Sequence, residues 1–210
     1  MTELGIFGGT FAPIHRGHVE AANAFYDAFK LDELLVIPTY LPPHKEAAPG
    51  DDPTERLAMT KLAFRDNPRR ITVSDYEIQK GGTSYTYQTL IHFTAPDTRL
   101  TFLCGTDMFL TFDSWKHPEI VFSLARIVHI RREDTDSETE ARIAAMTAHY
   151  RKVYGGEVVQ LDAPVVEISS TEIRTLCREG RDVSHLVPPS VCDYIAAHRL
   201  YGNPAAGGMS

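Results

Sequence analysis

Gly8-Gly9-Thr10-Phe11-Ala12-Pro13-Ile14-His15-Arg16-Gly17-His18 (GGTFAPIHRGH) decides how this chain folds. The apolar run before it, Leu4 to Phe7, reads as a buried first strand. The stretch after it, Val19 to Phe29 (VEAANAFYDAF), carries apolar residues at three- and four-residue spacing and reads as an amphipathic helix. A strand, a glycine turn and a helix N-terminus together form an anion site. Glycine lets the backbone approach closely, and the first helical N–H groups point at the ligand. His15 and His18, three apart where the loop enters the helix, can face the same bound group. Neither GxxxxGK[ST] nor GxGxxG is present. On residue types alone, Gly-Gly-Thr is equally a plain turn and His-x-x-His equally a packing pair. Two histidines by themselves also leave a zinc coordination sphere incomplete.

Outward from this stretch the pattern keeps alternating. Glu33 to Pro38 predicts a second strand, and Pro53 to Phe64 a helix with Asp52 as N-cap and Pro53 at its first position. Ile71 to Val73 and Tyr76 to Gln79 read as short strands. Gly81 to Ser84 turn into a helix over Tyr85 to Thr94. Arg99 to Cys104 predicts a buried strand ending at Gly105-Thr106-Asp107. Phe109 to Ser123 reads as mostly helical with a break before Pro118, Ala125 to Ile130 as a strand, Ser137 to Tyr154 as a helix and Glu157 to Leu161 as the last strand. Strands alternating with helices predict a Rossmann-like, doubly wound α/β fold with a mostly parallel sheet covered on both faces. Ligands of such sheets bind beyond the C-terminal strand ends, where the strand order reverses.

The C-terminal part differs. Ser169-Ser170-Thr171-Glu172 fits a capping box opening a helix that runs to about Glu179 and stops at Gly180. A small helical segment follows, with a final helix over Pro189 to His198 expected beside it. Ser169 explains itself as a cap. The further hydroxyls of Ser170 and Thr171, with Arg174 one turn in, also describe a second phosphate cradle.

Composition bounds the function. The chain of 210 residues reads as one domain with a frayed tail at 203–210. A net charge of −7 argues against a broad nucleic-acid-binding surface. Cys104, Cys177 and Cys192 are odd in number, widely spaced and form no CxxC, and so read as reduced thiols of a cytoplasmic protein. The N-terminus has no basic-then-apolar signal segment and no apolar run approaches the length of a membrane span, so no membrane partner is expected. Whether the chain forms a homo-oligomer is left open.

Three weaker constellations complete the reading. Pro42-Pro43-His44-Lys45 puts an ammonium and an imidazole on a stiff loop. Gly105-Thr106-Asp107 ends a buried strand with a carboxylate placed to accept ribose hydroxyls. Trp115, the single tryptophan, sits in the polar stretch Asp113 to His117, placed to stack on a ring.

GGTFAPIHRGH resembles the HxGH signature of the nucleotidylyltransferase superfamily. Together with PPHK, GGTSYTYQTL, GTD followed by Trp115, ISSTEIR and LVPPSVCDYIAAHRLY, it appears in the order seen in bacterial nicotinate-nucleotide adenylyltransferases, over about residues 4 to 202. Two departures stand out. Ala12 replaces the usual Asp, and Arg131-Arg132-Glu133-Asp134 replaces the usual Arg-Pro-Gly, which bears on any site role of Arg132. The resemblance implies transfer of AMP from ATP to nicotinate mononucleotide in NAD biosynthesis. It implies ATP binding by Gly8, Gly9, Thr10, Phe11, His15, His18, Gly105, Asp107, Ile168, Ser170, Thr171 and Arg174. Acceptor binding falls to Lys45, Ser84, Tyr85, Thr86 and Trp115. Catalysis falls to His15, His18, Lys45 and Arg174, with Mg2+ carried by ATP rather than held in a metal cage. The alternatives are an adenylyl- or cytidylyltransferase for phosphopantetheine, nicotinamide mononucleotide or an alcohol phosphate, and a nucleotide-binding regulatory protein without turnover.

Overall fold

A six-stranded, wholly parallel sheet organises the chain, as the alternating pattern predicts. The computed structural model describes residues 1–43, 51–131, 136–163 and 168–202. His44, Lys45, Arg132 to Asp134 and the tail from 203, all singled out above, lie outside the described residues. In chain order the elements are β1 (Thr2–Gly9), α1 (Arg16–Phe29), β2 (Glu33–Pro38), α2 (Pro53–Phe64), β3 (Ile71–Val73), α3 (Tyr76–Lys80) and α4 (Thr86–Phe93). There follow β4 (Thr98–Cys104), α5 (Thr106–Phe109), α6 (Pro118–Leu124), β5 (Ala125–Arg131), α7 (Ser137–Tyr154), β6 (Val158–Asp162), α8 (Ser170–Arg178) and α9 (Pro189–His198). The strand order is β3-β2-β1-β4-β5-β6, so the direction of winding reverses between β1 and β4. That places the switch point at the end of the glycine stretch.

Both sheet faces are buried, which is why the central strands are nearly continuous apolar runs. On one face Phe7, Leu34, Val36, Leu103, Val128 and Ile130 pack under α1, α2, α8 and α9. On the other Ile6, Leu35, Ile37, Phe102, Cys104 and Ile127 pack under α4 to α7. α1 packs tightly on β1: a Cβ on Gly5 would stand 3.0 Å from Phe25 Cε1. Asp52 caps α2 as expected, its carboxylate accepting from Thr54 N–H at 2.7 Å.

Four expectations need correction. α1 begins at Arg16, three residues early, because His15 serves as its cap. Tyr76 to Gln79 is helical, within α3: Gln79 N–H bonds Asp75 C=O, and Gly81 at φ +67° ends the turn. Phe109 to Ser123 has its expected break before Pro118, where α6 begins, but the part before it is only the end of α5 and a 3-10 turn at Phe112–Ser114. α9 lies against α2, with Ser190 Oγ donating to Leu62 C=O at 3.2 Å, while α8 is backed by the closing turn at Leu200–Gly202.

Candidate active site

Four carbonyls along the end of β1 and the loop after it are held by other elements of the chain. Gly9 C=O accepts Thr39 N–H at 2.9 Å, and Thr10 C=O accepts Arg56 Nη1 at 2.8 Å. Ala12 C=O accepts Arg174 Nη1 at 2.7 Å, and Pro13 C=O accepts Ser170 Oγ at 3.1 Å. A trans peptide sets N–H opposite C=O, so the amides of Phe11 and Ile14 point away from Arg56 and Ser170. Phe11 takes φ +49°, folding its buried ring edge-on against Phe7 and His18. Gly9 permits this, since a Cβ there would come within 2.8 Å of that ring.

His15 and His18 close the loop onto α1 as a reciprocal capping box. His15 is buried, at 6% exposure, and His18 half-buried; their rings stack with centroids 3.6 Å apart. α8 enters from the other end of the chain. Ser169 caps it, accepting from Glu172 N–H at 3.5 Å, which is the forward half of the predicted box. Arg174 Nη2 also donates to Thr171 Oγ1 at 3.1 Å, so Ser170, Thr171 and Arg174 stand on the loop that carries His15 and His18. Two helix N-termini and a guanidinium thus meet at one loop, a setting that favours phosphate oxygens. Ala12, in place of the family Asp, contributes its backbone carbonyl to Arg174. Ile168 sits half-buried against the core one residue before the cap.

At the end of the neighbouring β4, Thr106 is buried and its Oγ1 lies 3.1 Å from His129 Nε2, while Asp107 is exposed. Burial pushes the His129 imidazole down to about 4. Beyond β2, Tyr40 N–H donates to Ser84 Oγ at 3.0 Å and Ser84 N–H to Leu41 C=O at 2.8 Å. Ser84 leads into α4, whose cap Tyr85 makes no side-chain capping bond. Trp115 packs on Phe112 at 4.3 Å, and its Nε1 donates to Thr111 Oγ1. Its neighbours reach α4: Lys116 Nζ lies 4.8 Å from the Tyr85 ring centroid and His117 meets Tyr87 edge-on. Tyr85 and Tyr87 thus neighbour the two residues that follow Trp115, while the Trp115 ring itself packs on Phe112.

Two residues passed unnoticed in the sequence. Arg56 is 1% exposed and bonds three loop carbonyls. Glu77 is buried under α4, accepting from Thr89 Oγ1 at 2.6 Å, and burial raises its carboxyl above the usual range despite that bond. Among the described residues no three His, Cys, Asp or Glu side chains converge to hold a metal. The donors that do converge are imidazole, hydroxyl, guanidinium and amide groups, suited to phosphate oxygens.

Residues 6–176 match the cytidylyltransferase-like family. The probable nicotinate-nucleotide adenylyltransferase of Clostridium kluyveri is 36% identical over 203 residues, covering 96% of this chain and all of that one. The protein of the same description from Geotalea daltonii is 35% identical, covering 95% and 98%. Among solved structures, the Plasmodium falciparum nicotinic acid mononucleotide adenylyltransferase complexed with NaAD superposes with a TM-score of 0.69 at 18% identity, covering 97% of this chain and 98% of that one. The chain belongs to the cytidylyltransferase-like family. Within it, the two curated relatives named above are both described as probable nicotinate-nucleotide adenylyltransferases.

Proposed function

We propose that this chain transfers AMP from ATP to nicotinate mononucleotide, giving nicotinate adenine dinucleotide and pyrophosphate in NAD biosynthesis. The observation that carries this reading is the meeting of α1 and α8 at one glycine loop, with His15, His18, Ser170, Thr171 and Arg174 around it. The acceptor's phosphate is largely dianionic at neutral pH, so it needs no base. One of its oxygens attacks the α-phosphorus, the bond to the bridging oxygen breaks, and pyrophosphate leaves with that electron pair. Catalysis is then positioning and neutralisation of charge. His15, His18 and Arg174 donate to the phosphates, as do the loop amides of Gly9 to Phe11, and Lys45 serves both ATP and acceptor. Gly105 and Asp107 receive the ribose end, with Ile168 beside the nucleotide. The entry to α4, from Ser84 through Tyr85 to Thr86, receives the nicotinate carboxylate, and Trp115 flanks the pyridine ring. Mg2+ arrives on the triphosphate and offsets its charge.

We place the protein in the cytoplasm, where its three free thiols persist. Pyrophosphate release on mixing the chain with ATP and a panel of acceptors tests the reading. Turnover with nicotinate mononucleotide and a product of the dinucleotide mass is the expected result. Turnover only with phosphopantetheine or an alcohol phosphate, or none with any acceptor, overturns it.

A further inference from the structure

Arg56 stands on the first turn of α2, buried to 1% exposure, and its guanidinium fork serves two loops at once. Nη1 donates to Thr10 C=O at 2.8 Å and to Thr39 C=O at 2.6 Å; Nη2 donates to Tyr40 C=O at 2.9 Å. Nε faces Asp51 Oδ1 at 2.7 Å, which balances the charge. Thr10 belongs to the loop after β1, beside His15. Thr39 and Tyr40 belong to the segment after β2. We propose that Arg56 is a positioning residue that locks the phosphate-side loop and the acceptor-side helix start into one relative placement.

The connection can be followed bond by bond. With Thr39 C=O pulled onto Arg56, the Tyr40 N–H of the same peptide faces the opposite way, where it donates to Ser84 Oγ at 3.0 Å. Ser84 N–H returns to Leu41 C=O at 2.8 Å, and Ser84 is two residues from the start of α4. On the other arm, fixing Thr10 C=O fixes the Phe11 amide on the opposite side. One planar cation thus sets the peptide planes on both sides of the gap that two reacting substrates must cross. A displacement of about an ångström there is enough to slow an in-line transfer on the order of a hundredfold. A buried charge is a poor way to gain stability alone, because desolvation offsets the attraction. The three bonded carbonyls all lie on site loops outside α2 itself. Lysine cannot replace the fork, since an ammonium on a flexible stem does not reach three fixed acceptors in one plane.

This inference rests on the proposed adenylyl transfer, and its test separates the two. Arg56→Lys is compared with the native chain and with Arg126→Lys, which disturbs a half-buried arginine paired to Glu3 at the opposite end of the sheet. Steady-state kinetics with ATP and nicotinate mononucleotide is measured alongside amide hydrogen exchange. In Arg56→Lys, kcat/KM for both substrates falls at least tenfold. The Tyr40 and Ser84 amides exchange at least tenfold faster while the Ile127 amide, bonded to Glu157 C=O in β5, stays as in the native chain. Arg126→Lys keeps kcat within twofold. Native exchange at Tyr40 and Ser84 overturns the proposal, as does faster exchange with unchanged kcat/KM, or an equal kinetic loss in Arg126→Lys. A native chain without turnover removes the proposed function, and exchange then decides the coupling by itself. Should Arg56→Lys not fold, Asp51→Asn removes the charge that faces Nε and loosens the same fork. It speeds exchange of the Tyr40 amide at least threefold with the Ile127 amide as in the native chain, and native exchange at Tyr40 overturns the proposal.

Discussion

His15 and His18 cap each other: His18 N–H donates to His15 Nδ1 and His15 N–H to His18 Nδ1, each at 3.3 Å, with the rings stacked between them. Because each Nδ1 accepts, each neutral ring carries its proton on Nε2. The pair therefore starts α1, and in the proposed reaction its Nε2–H groups are the donors to phosphate.

His18→Ala should lower kcat by on the order of 10²–10³, the usual loss when a donor to developing charge is removed. It should also destabilise the chain by about 1 kcal/mol through the lost cap, seen as a small fall in melting temperature. His18→Asn keeps an acceptor near the Nδ1 position and lacks the Nε2 donor. Thermal melts of this variant should return to the native value while its kcat stays low. Recovery of both together would assign His18 to packing alone.

Arg174→Ala removes a guanidinium that holds Ala12 C=O and faces the phosphate loop. Charge-assisted hydrogen bonds are worth roughly 1.5–3 kcal/mol each, so ATP affinity should drop more than tenfold with acceptor affinity nearly unchanged. Calorimetric titration with a non-hydrolysable ATP analogue gives the number directly. Intact affinity would leave α8 as a structural clasp only.

Nicotinate presents a carboxylate where nicotinamide presents an amide whose NH₂ would meet the α4 amides donor to donor. Sites built for one polar group reject the mismatch by up to ~10⁴–10⁵; a preference of at least about a hundredfold in kcat/KM for the acid is expected here. Trp115→Ala should raise acceptor KM far more than ATP KM, with some loss of stability because its ring also packs on Phe112. Equal efficiency on both acceptors would remove the carboxylate from the start of α4.

Protonation of His129 couples stability to pH. An unfolded histidine takes up its proton near pH 6.5, whereas buried His129 does so only near 4. Its neutral ring therefore supports the fold above pH 6.5, and that support is lost as pH falls from 6.5 towards 4. From pH 7 to 5 the loss is about 2 kcal/mol. Urea midpoints at the two pH values should differ more for the native chain than for His129→Gln, and parallel shifts would assign the acid sensitivity elsewhere.

The strands were legible because a strand buried on both faces, such as ELLVIP or RLTFLC, has no polar period to disguise it. The meeting of GGTFAPIHRGH with ISSTEIR followed from residue order and family likeness, since no local rule joins positions so distant. Tyr76 to Gln79 misled because Tyr-Glu-Ile-Gln alternates like a strand. Tertiary structure overrides that period by burying Glu77 against Thr89. The true start of α1 was hidden by its cap, as histidine seldom fills the places of Ser and Glu in a capping box. Arg56 carried a signal that went unread: with Met59 and Thr60 it occupies i, i+3 and i+4 on the buried face of α2. A charge within a buried stripe marks a paired group rather than a solvated one.

The clasp of Ser170 on Pro13 and of Arg174 on Ala12 joins residues 157 and 162 positions apart in the chain. During synthesis the glycine loop leaves the ribosome early and β1 finds its neighbours long before α8 exists. All six strands precede α8 in the chain, yet until α8 arrives the loop has only one of its two helix ends. Contacts of such separation form late, after the loop entropy of the whole intervening chain has been overcome. The glycine loop thus gains its second helix end only in a chain that has closed end to end. A copy that stops short of α8, however well its sheet has assembled, presents the α1 half of that arrangement alone.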